Sequence, residues 1–237
     1  MKVDHSRPKK KLVVLTGAGM SAESGIATFR GANGLWRGQR VEDVASPQAW
    51  QRQPEAVLEF YNERRRVVIE AQPNRGHTVL AELQDAFDVH IVTQNVDDLH
   101  ERAGSKSVLH LHGEIRKARS TADANRVYPI AGWQLNLGDR CELGSQLRPH
   151  IVWFGELVPQ IEPALQLCAT ADLFVVVGTS LVVYPAAGLV DYVEPKISKW
   201  VIDPELPPIN HLPNVTPIEA TASAGLEQLA EQLYRLA

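Results

Sequence analysis

The strongest constraint on the fold is an apolar run that ends in a glycine-rich turn. Residues 13–15 have the composition of a buried strand, and Gly17, Ala18, Gly19 and Ser21 follow as the chain enters a short helix-like segment. Glycine lets the backbone approach a pyrophosphate, and free amides at a helix start favour its negative charge. The spacing falls short of the full dinucleotide fingerprint, so a tightly packed strand-to-helix connection is the alternative.

Apolar runs alternate with helical patterns along most of the chain. Runs typical of buried parallel strands occupy residues 12–15, 89–93, 151–154, 173–177 and 200–202. Helical patterns occupy residues 77–87, 162–169, 184–193 and 226–236. This alternation predicts an α/β fold with a doubly wound, Rossmann-like parallel sheet.

Two stretches interrupt the alternation and predict a smaller inserted module. Residues 31–75 are polar, with a helical segment after a proline, and residues 115–147 have little periodicity. The larger, dinucleotide-binding domain is then expected to comprise residues 1–30, 76–114 and 148–237. A small module above the carboxyl ends of the strands would form a cleft, where ligands bind in such folds.

Composition and charge exclude several functional classes. The 237 residues, of which 44% are hydrophobic, suffice for one large domain with an insertion. The net charge of −4 argues against nucleic acid as a partner, although residues 9–11 and 64–66 are basic clusters. No apolar run is long enough for a membrane span, no secretion signal is visible and two cysteines give no disulfide framework. A cytoplasmic protein without membrane partners is therefore expected.

Polar side chains follow the second predicted strand. Gln94, Asn95 and Asp97 come directly after residues 89–93, so they should lie at the carboxyl end of that strand. Two amides and a carboxylate can hydrogen-bond ribose hydroxyls and a carboxamide. A turn that caps a helix at residues 98–102 is the alternative interpretation.

His112 is the strongest candidate for a catalytic residue. Strand alternation would place His110 and His112 on one face, with Leu109 and Leu111 on the other. A histidine near its usual pKa can remove a proton from a hydroxyl at neutral pH. A structural role is the alternative for His112 and the preferred interpretation for His110. His100, among charged neighbours, is expected to be solvated.

Tyr61 and Arg64 form a second candidate site. They are three residues apart in the helical segment, so they share a face. A phenol and a guanidinium that converge on a pocket would suit a carboxylate. A solvated basic helix with one packed tyrosine is the alternative.

These motifs together resemble those of the sirtuins. The resemblance is carried by residues 13–26, 28–30, 93–97, 111–114, 152–156 and 178–180. It extends from about Lys11 to the C-terminus and is closest to the small bacterial sirtuins. It implies an NAD-dependent protein-lysine deacylase, acting as a deacetylase and a desuccinylase or demalonylase. Such an enzyme consumes NAD as a co-substrate and yields nicotinamide, free lysine and O-acyl-ADP-ribose.

The resemblance also implies roles for individual residues. His112 would deprotonate a ribose hydroxyl, Asn95 would contact that ribose, and Phe29 would shield its reactive face. The residues expected to bind NAD are Gly17, Ala18, Gly19, Ser21, Thr28, Phe29, Arg30, Gln94, Asn95, Asp97, Gly178, Thr179, Ser180, Asp203 and Ala222. Asp203 stands where many sirtuins have asparagine.

An acylated-lysine protein or peptide is the implied partner, and a monomer is expected. The residues expected to bind it are Tyr61, Arg64, Val152, Phe154, Gly155 and Glu156. The segment at 152–156 would offer a strand edge to an extended peptide. An ordinary core strand is the alternative for this segment.

One motif departs from the family. Sirtuins usually carry two cysteine pairs that bind a structural zinc, whereas residues 115–147 contain Cys141 alone, with Ser120 where the first cysteine is expected. Asp123, Glu142 or a histidine could complete a weaker site, but the spacing offers no convincing ligand set. No structural zinc is therefore expected. The module should then depend on packing, through Tyr128, Ile130, Trp133 and Leu135.

Two other functions remain open from the sequence. A mono-ADP-ribosyltransferase would also cleave NAD but pass the ribose to a protein side chain. A non-catalytic NAD-sensing module would need a defect in the catalytic residues. The presence of His112, Tyr61 and Arg64 favours the deacylase.

Overall fold

A six-stranded parallel sheet forms the centre of the molecule. The computed structural model describes residues 8–28, 35–36, 39–40 and 43–237. In chain order the strands are β1 (Lys11–Thr16), β2 (Leu35–Trp36), β3 (Gln39–Arg40), β4 (Asp88–Thr93), β5 (Val108–His110), β6 (Gly113–Ser120), β7 (Val127–Pro129), β8 (Leu147–Ile151), β9 (Leu173–Val177), β10 (Lys199–Ile202) and β11 (Val215–Ile218). The main sheet has the order β11-β10-β9-β1-β4-β5.

The helices lie between these strands. The α-helices are α1 (Pro47–Arg52), α2 (Pro54–Glu70), α3 (Arg75–Glu82), α4 (Leu99–Arg102), α5 (Ile161–Ala169) and α6 (Ala222–Leu233). The 3₁₀ segments are Ala18–Ser24, Leu83–Asp85 and Ala186–Tyr192. Among the residues described, no helix is both long and apolar enough to cross a membrane.

The strand order reverses at β1. This strand pairs in parallel with β4 on one side and with β9 on the other, so Thr16 lies opposite both Thr93 and Val177. In doubly wound sheets the ligand crevice lies beyond the carboxyl ends of the strands at such a reversal. The predicted α/β class is confirmed. The topology predicts that the ligand crevice is lined by the segments that follow β1, β4 and β9.

The main sheet is buried on both faces, which explains its nearly continuous apolar runs. On one face, Leu12 and Val14 belong to a buried cluster that includes Leu80 of α3 and Leu229 of α6. Val13 and Leu15 pack on the other face with α5 and the last 3₁₀ segment. Successive side chains of a strand point to opposite faces, so both sets must be apolar.

Two predictions about these elements are wrong, and one strand was not predicted. Residues 151–154 do not form a strand of the parallel sheet, because β8 ends at Ile151 and pairs antiparallel with β6 in a separate sheet of order β7-β6-β8. The helix predicted at residues 184–193 is instead the 3₁₀ segment Ala186–Tyr192. The edge strand β11 was not predicted, because Thr216 and Pro217 are exposed and interrupt its apolar pattern.

The small antiparallel sheet packs against α2. Arg65, which is fully buried, donates from Nε to the carbonyl of Ile115 (2.6 Å) and from Nη1 to the carbonyl of Trp133 (2.7 Å). Asn62 exchanges two hydrogen bonds with the backbone of Leu135. These contacts connect β6 and the segment at residues 133–135 to α2, the helix that carries Tyr61.

Packing in this module differs in part from the prediction. Ile130 and Leu135 are buried with Leu58 and Ala118, as expected. Trp133 is instead 38% exposed, and the Tyr128 hydroxyl donates to Glu142 at the surface. The packed core of the module is therefore smaller than expected.

A cluster of hydrogen bonds joins Ser120, Cys141 and Ser145, in the segment where the resemblance implies zinc ligands. Ser120 Oγ lies 2.7 Å from Ser145 Oγ and 3.4 Å from Cys141 Sγ, and Ser145 Oγ lies 3.1 Å from the same sulfur. Hydrogen bonds with both hydroxyls lower the pKa of the Cys141 thiol to about 7. One thiol and two hydroxyls do not fit a zinc site, and no metal-binding group of histidine, cysteine and carboxylate side chains occurs among the described residues.

We expect the purified protein to contain less than about 0.1 zinc atom per chain, because a structural zinc site requires several deprotonated ligands. Incubation with a chelator should leave the melting temperature unchanged. Elemental analysis and a thermal unfolding curve check both points. One zinc per chain, together with a lower melting temperature after chelation, would contradict the prediction.

Candidate active site

A cavity of about 370 Å³ opens between the carboxyl edge of the main sheet on one side and α2 with the turn after β8 on the other. Most of the predicted site residues line it. These are Gly17, Ala18, Gly19, Ser21, Thr28, Tyr61, Arg64, Gln94, Asn95, Asp97, His112, Val152, Phe154, Gly155, Glu156, Gly178, Thr179 and Ser180. Residues that are far apart in the chain thus converge on one crevice.

Of the predicted residues that the structure describes, Asp203 and Ala222 do not belong to this lining. Phe29 and Arg30 lie outside the described residues. Asp203 is buried just after β10, where its Oδ1 accepts a hydrogen bond from the backbone of Glu205 (2.9 Å). Ala222 is buried at the start of α6. The roles predicted for these residues toward NAD remain predictions.

The glycines after β1 and β9 are required by the contact between two turns. Gly17 N–H donates to the carbonyl of Val177 (3.0 Å), and Gly19 N–H donates to that of Gly178 (2.8 Å). A Cβ on Gly19 would lie 2.6 Å from Gly178 Cα, and one on Gly17 would lie 2.7 Å from the Gly178 carbonyl oxygen. The turns therefore expose bare backbone to the cavity, and this surface fits close approach by a pyrophosphate.

Ser21, Asn95 and Asp97 form a buried hydrogen-bonded network beside these turns. Asn95 Nδ2 donates to Ser21 Oγ (3.1 Å), and Ser21 Oγ donates to Asp97 Oδ2 (3.0 Å). Burial raises the pKa of Asp97, although hydrogen bonds from Leu99 and Ser21 oppose the shift. Asp97 Oδ1 accepts from the Leu99 backbone (3.2 Å) in a turn before α4, but the N-cap residue of this helix is Asp98, whose side chain forms no capping hydrogen bond.

The hydrogen bond of His112 determines which ring nitrogen can act as a base. Its Nδ1 lies 3.0 Å from the carbonyl oxygen of Gln94. A carbonyl only accepts, so the proton resides on Nδ1 and the lone pair on Nε2. Burial lowers the pKa of His112, while the Gln94 carbonyl opposes that shift. The imidazole is therefore neutral at pH 7. Gln94 Nε2 in turn donates to Thr179 Oγ1 (3.0 Å), which joins the ends of β4 and β9.

Two further histidines pack around this network. His110 lies 3.0 Å from the Asn95 carbonyl through Nδ1 and 2.8 Å from Glu101 through Nε2. Burial lowers its pKa, but Glu101 and the Asn95 carbonyl outweigh burial and raise it. The prediction that His100 is solvated is wrong, because its ring is buried and contacts Thr16 Oγ1 (3.2 Å).

Tyr61 and Arg64 form a polar pair in the cavity wall. Both are buried on α2, and Phe60 and Val68 add apolar lining beside them. Burial raises the pKa of Tyr61 to about 12 and lowers the pKa of Arg64. The Tyr61 oxygen accepts a hydrogen bond from Trp153 Nε1 (3.0 Å). The cavity thus presents a protonated phenol and a guanidinium, two groups that can bind an anion.

The segment after β8 does not offer the free strand edge that was expected. The backbone N–H of Val152 donates to the His112 carbonyl (2.9 Å), and that of Phe154 donates to the Ala45 carbonyl (3.0 Å). Glu156 forms ion pairs with Arg148 and Arg119. The segment is therefore a bonded turn at the rim of the cavity.

Sequence reasoning missed the apolar mouth of the cavity. Val183 and Tyr184 line it, and Leu157 and Val182 lie in the two neighbouring loops. Leu157 is 90% exposed and Tyr184 74% exposed. Leu157, Val182 and Val183 lie in loops and follow no periodic pattern, and Tyr184 stands at the start of the segment that was predicted to be helical.

Comparison with known proteins agrees with this geometry. A sequence model of the Sir2 family matches residues 17–185. Proteins named NAD-dependent protein deacylase are 50% identical in Bacteroides thetaiotaomicron, over 94% of this chain and 98% of the relative, and in Helicobacter pylori, over 96% and 99%. A crystal structure of a Sir2 homologue in complex with NAD has a TM-score of 0.87 and 40% identity, and the match covers 96% of this chain and 91% of the homologue. The chain therefore belongs to the Sir2 family.

Proposed function

We infer that this protein is an NAD-dependent protein deacylase, which moves an acyl group from a lysine side chain to ADP-ribose. One observation carries the inference. His112, with a neutral ring and a free Nε2 lone pair, lies in the same cavity as the glycine turns and the Asn95 network. Relatives at 50% identity over nearly the whole chain carry this activity in their names.

The roles proposed for the lining residues follow from the hydrogen-bond donors and acceptors that they place in the cavity. The turns at Gly17, Gly19 and Gly178 carry no side chains, so they would give the pyrophosphate of NAD room to approach the backbone. Asn95 and Asp97 would bind the ribose hydroxyls and the carboxamide. When bound, NAD supplies a ribose carbon that becomes electrophilic as nicotinamide leaves.

His112 would act as the general base of the reaction. Its Nε2 would accept a proton from a ribose hydroxyl, and the alkoxide character that develops on that oxygen would favour attack on the acyl carbon. The Nδ1 hydrogen bond to the Gln94 carbonyl fixes the ring and disperses the positive charge that the transfer creates.

The substrate peptide would bind along the apolar mouth of the cavity. Leu157 on one loop and Val182 and Tyr184 on the other expose large apolar surfaces, which a soluble protein usually buries against a ligand or partner. A peptide between the two loops would direct its acyl-lysine into the cavity beside Tyr61 and Arg64. This pair would bind a carboxylate at the end of a succinyl, malonyl or similar acyl chain.

Mass spectrometry of a single incubation tests the activity. The protein is mixed with NAD and either an acetyl-lysine or a succinyl-lysine peptide of the same sequence. We expect unmodified peptide, nicotinamide and the matching O-acyl-ADP-ribose, and no reaction when NAD is omitted. ADP-ribosylated protein without deacylation would instead support a transferase, and unchanged NAD would support a sensing module.

A further inference from the structure

In the hydrogen bond between Trp153 and Tyr61, the chemistry of the two groups determines which one donates. Trp153 Nε1 lies 3.0 Å from the Tyr61 hydroxyl oxygen, and both side chains are buried. An indole N–H can only donate, so the phenol oxygen must accept. The phenol proton is consequently left to bind another acceptor. With its pKa raised to about 12 by burial, Tyr61 keeps that proton throughout the neutral range.

The indole of Trp153 is held from two directions. The guanidinium carbon of Arg148 lies 3.3 Å from the indole ring centroid, which is a close cation–π contact. Arg148 also forms two hydrogen bonds with Glu156 (2.7 and 2.9 Å), and Glu156 accepts a third from the Trp153 backbone N–H (2.8 Å). This cluster fixes both the main chain and the ring of Trp153.

Aromatic contacts restrict the remaining freedom of the pair. Trp50 packs against Trp153 with the ring centroids 5.8 Å apart. Phe60 meets Tyr61 edge to face at 5.0 Å. The hydroxyl of Tyr61 can therefore change its partners only by rotating its proton, and Trp153 already occupies a lone pair of the oxygen.

We propose that Trp153 is a positioning residue for acyl specificity, which directs the phenol proton of Tyr61 toward an acyl-chain carboxylate beside Arg64. The proposal rests on the deacylase activity proposed above. A succinyl carboxylate would accept this proton together with hydrogen bonds from the guanidinium. An acetyl group has no such acceptor at its end. Loss of the indole N–H should therefore weaken recognition of the acidic acyl chain selectively.

Trp153→Phe tests the proposal through a ratio of activities. We expect kcat/KM for the succinyl peptide, divided by that for the acetyl peptide, to fall about tenfold, which corresponds to one hydrogen bond to a charged group. The change should reside mainly in KM for the succinyl peptide. The ratio cancels any general loss of folded enzyme. Trp50→Phe, which alters packing against Trp153 but leaves the N–H in place, should keep the ratio within about twofold of the wild type.

A double-mutant cycle adds a readout that a structural role would not produce. In a Tyr61→Phe background, Trp153→Phe should change the ratio by less than about twofold, because the phenol through which it acts is absent. Should Trp153→Phe fail to fold, benzothienylalanine at position 153 removes the N–H and keeps the shape of the ring. An unchanged ratio in either variant, or additive effects in the cycle, would overturn the proposal.

Failure of the proposed deacylase function can be distinguished from failure of the role proposed for Trp153. A wild-type protein that deacylates neither peptide would refute the deacylase function. The dissociation constants of the two peptides, measured by calorimetry, would then still test the role of Trp153. Selective loss of succinyl-peptide affinity in the variant supports the role, and equal affinities for the variant and the wild type contradict it.

Discussion

Replacing His112 with alanine should lower kcat for deacylation about 10³-fold, a typical contribution of general base catalysis. The affinity for NAD should stay within about threefold of the wild type, because the glycine turns and the Asn95 network are untouched. Steady-state kinetics and calorimetric titration with NAD measure the two quantities. His90, which lies earlier in β4 and bonds to Asp88 and Ser107, provides the matched control. His90→Ala should leave kcat within about twofold.

The protonation state of His112 determines the expected pH dependence of kcat. Burial lowers the pKa of His112 below 6.5, and only the neutral ring can accept a proton. As the pH falls through this lowered pKa, the ring becomes protonated and kcat should decline. Above it, the contribution of His112 should be constant. An acid limb with its midpoint above pH 6.5, or an undiminished rate in His112→Ala, would exclude this residue as the base.

Arg64→Met should reduce kcat/KM for the succinyl peptide by about 10–100-fold more than for the acetyl peptide. Hydrogen bonds to a charged partner contribute about 1.5–3 kcal/mol, which corresponds to this range. Although burial lowers the pKa of Arg64, a guanidinium stays charged at neutral pH, so the wild-type cavity keeps its positive charge. Parallel progress curves with the two peptides measure the difference.

Arg66→Met is the matched control for this experiment. Arg66 lies on the same helix but is exposed, and its guanidinium packs over the Trp133 ring at 5.8 Å. The control should leave the preference between the two peptides unchanged. Equal losses on both peptides in Arg64→Met would assign Arg64 a general structural role and remove the assignment to the acyl carboxylate.

The parts of the fold that the sequence predicts well are those with strong local patterns. β9 (Leu173–Val177) is fully buried on both faces, and its apolar run predicts its bounds. The run at residues 151–154 has a similar composition, but only Ile151 belongs to a strand, the antiparallel β8, and a turn follows it, because composition alone does not define a pairing partner. α4 is a single turn, too short for a periodic pattern to reveal that His100 faces inward.

The residues of the candidate site also differ in how well local sequence patterns predict their positions. Gln94, Asn95 and Gly178 follow strands of one parallel sheet, so the rule for strand ends brings them together. The contact between Trp153 and Tyr61 joins residues that are 92 positions apart, one in the turn after β8 and the other on α2. No local pattern encodes such a contact, and only the packing of α2 against the turn after β8 creates it.

The meeting of the two glycine turns also has a consequence for biosynthesis. One turn follows β1, near the start of the chain, and the other follows β9, which is synthesised only after residue 172. On the proposed function, a nascent chain that has not yet emerged past β9 would have only one of the two turns and would lack the complete surface for the dinucleotide. Binding of NAD would then stabilise complete chains over incomplete ones.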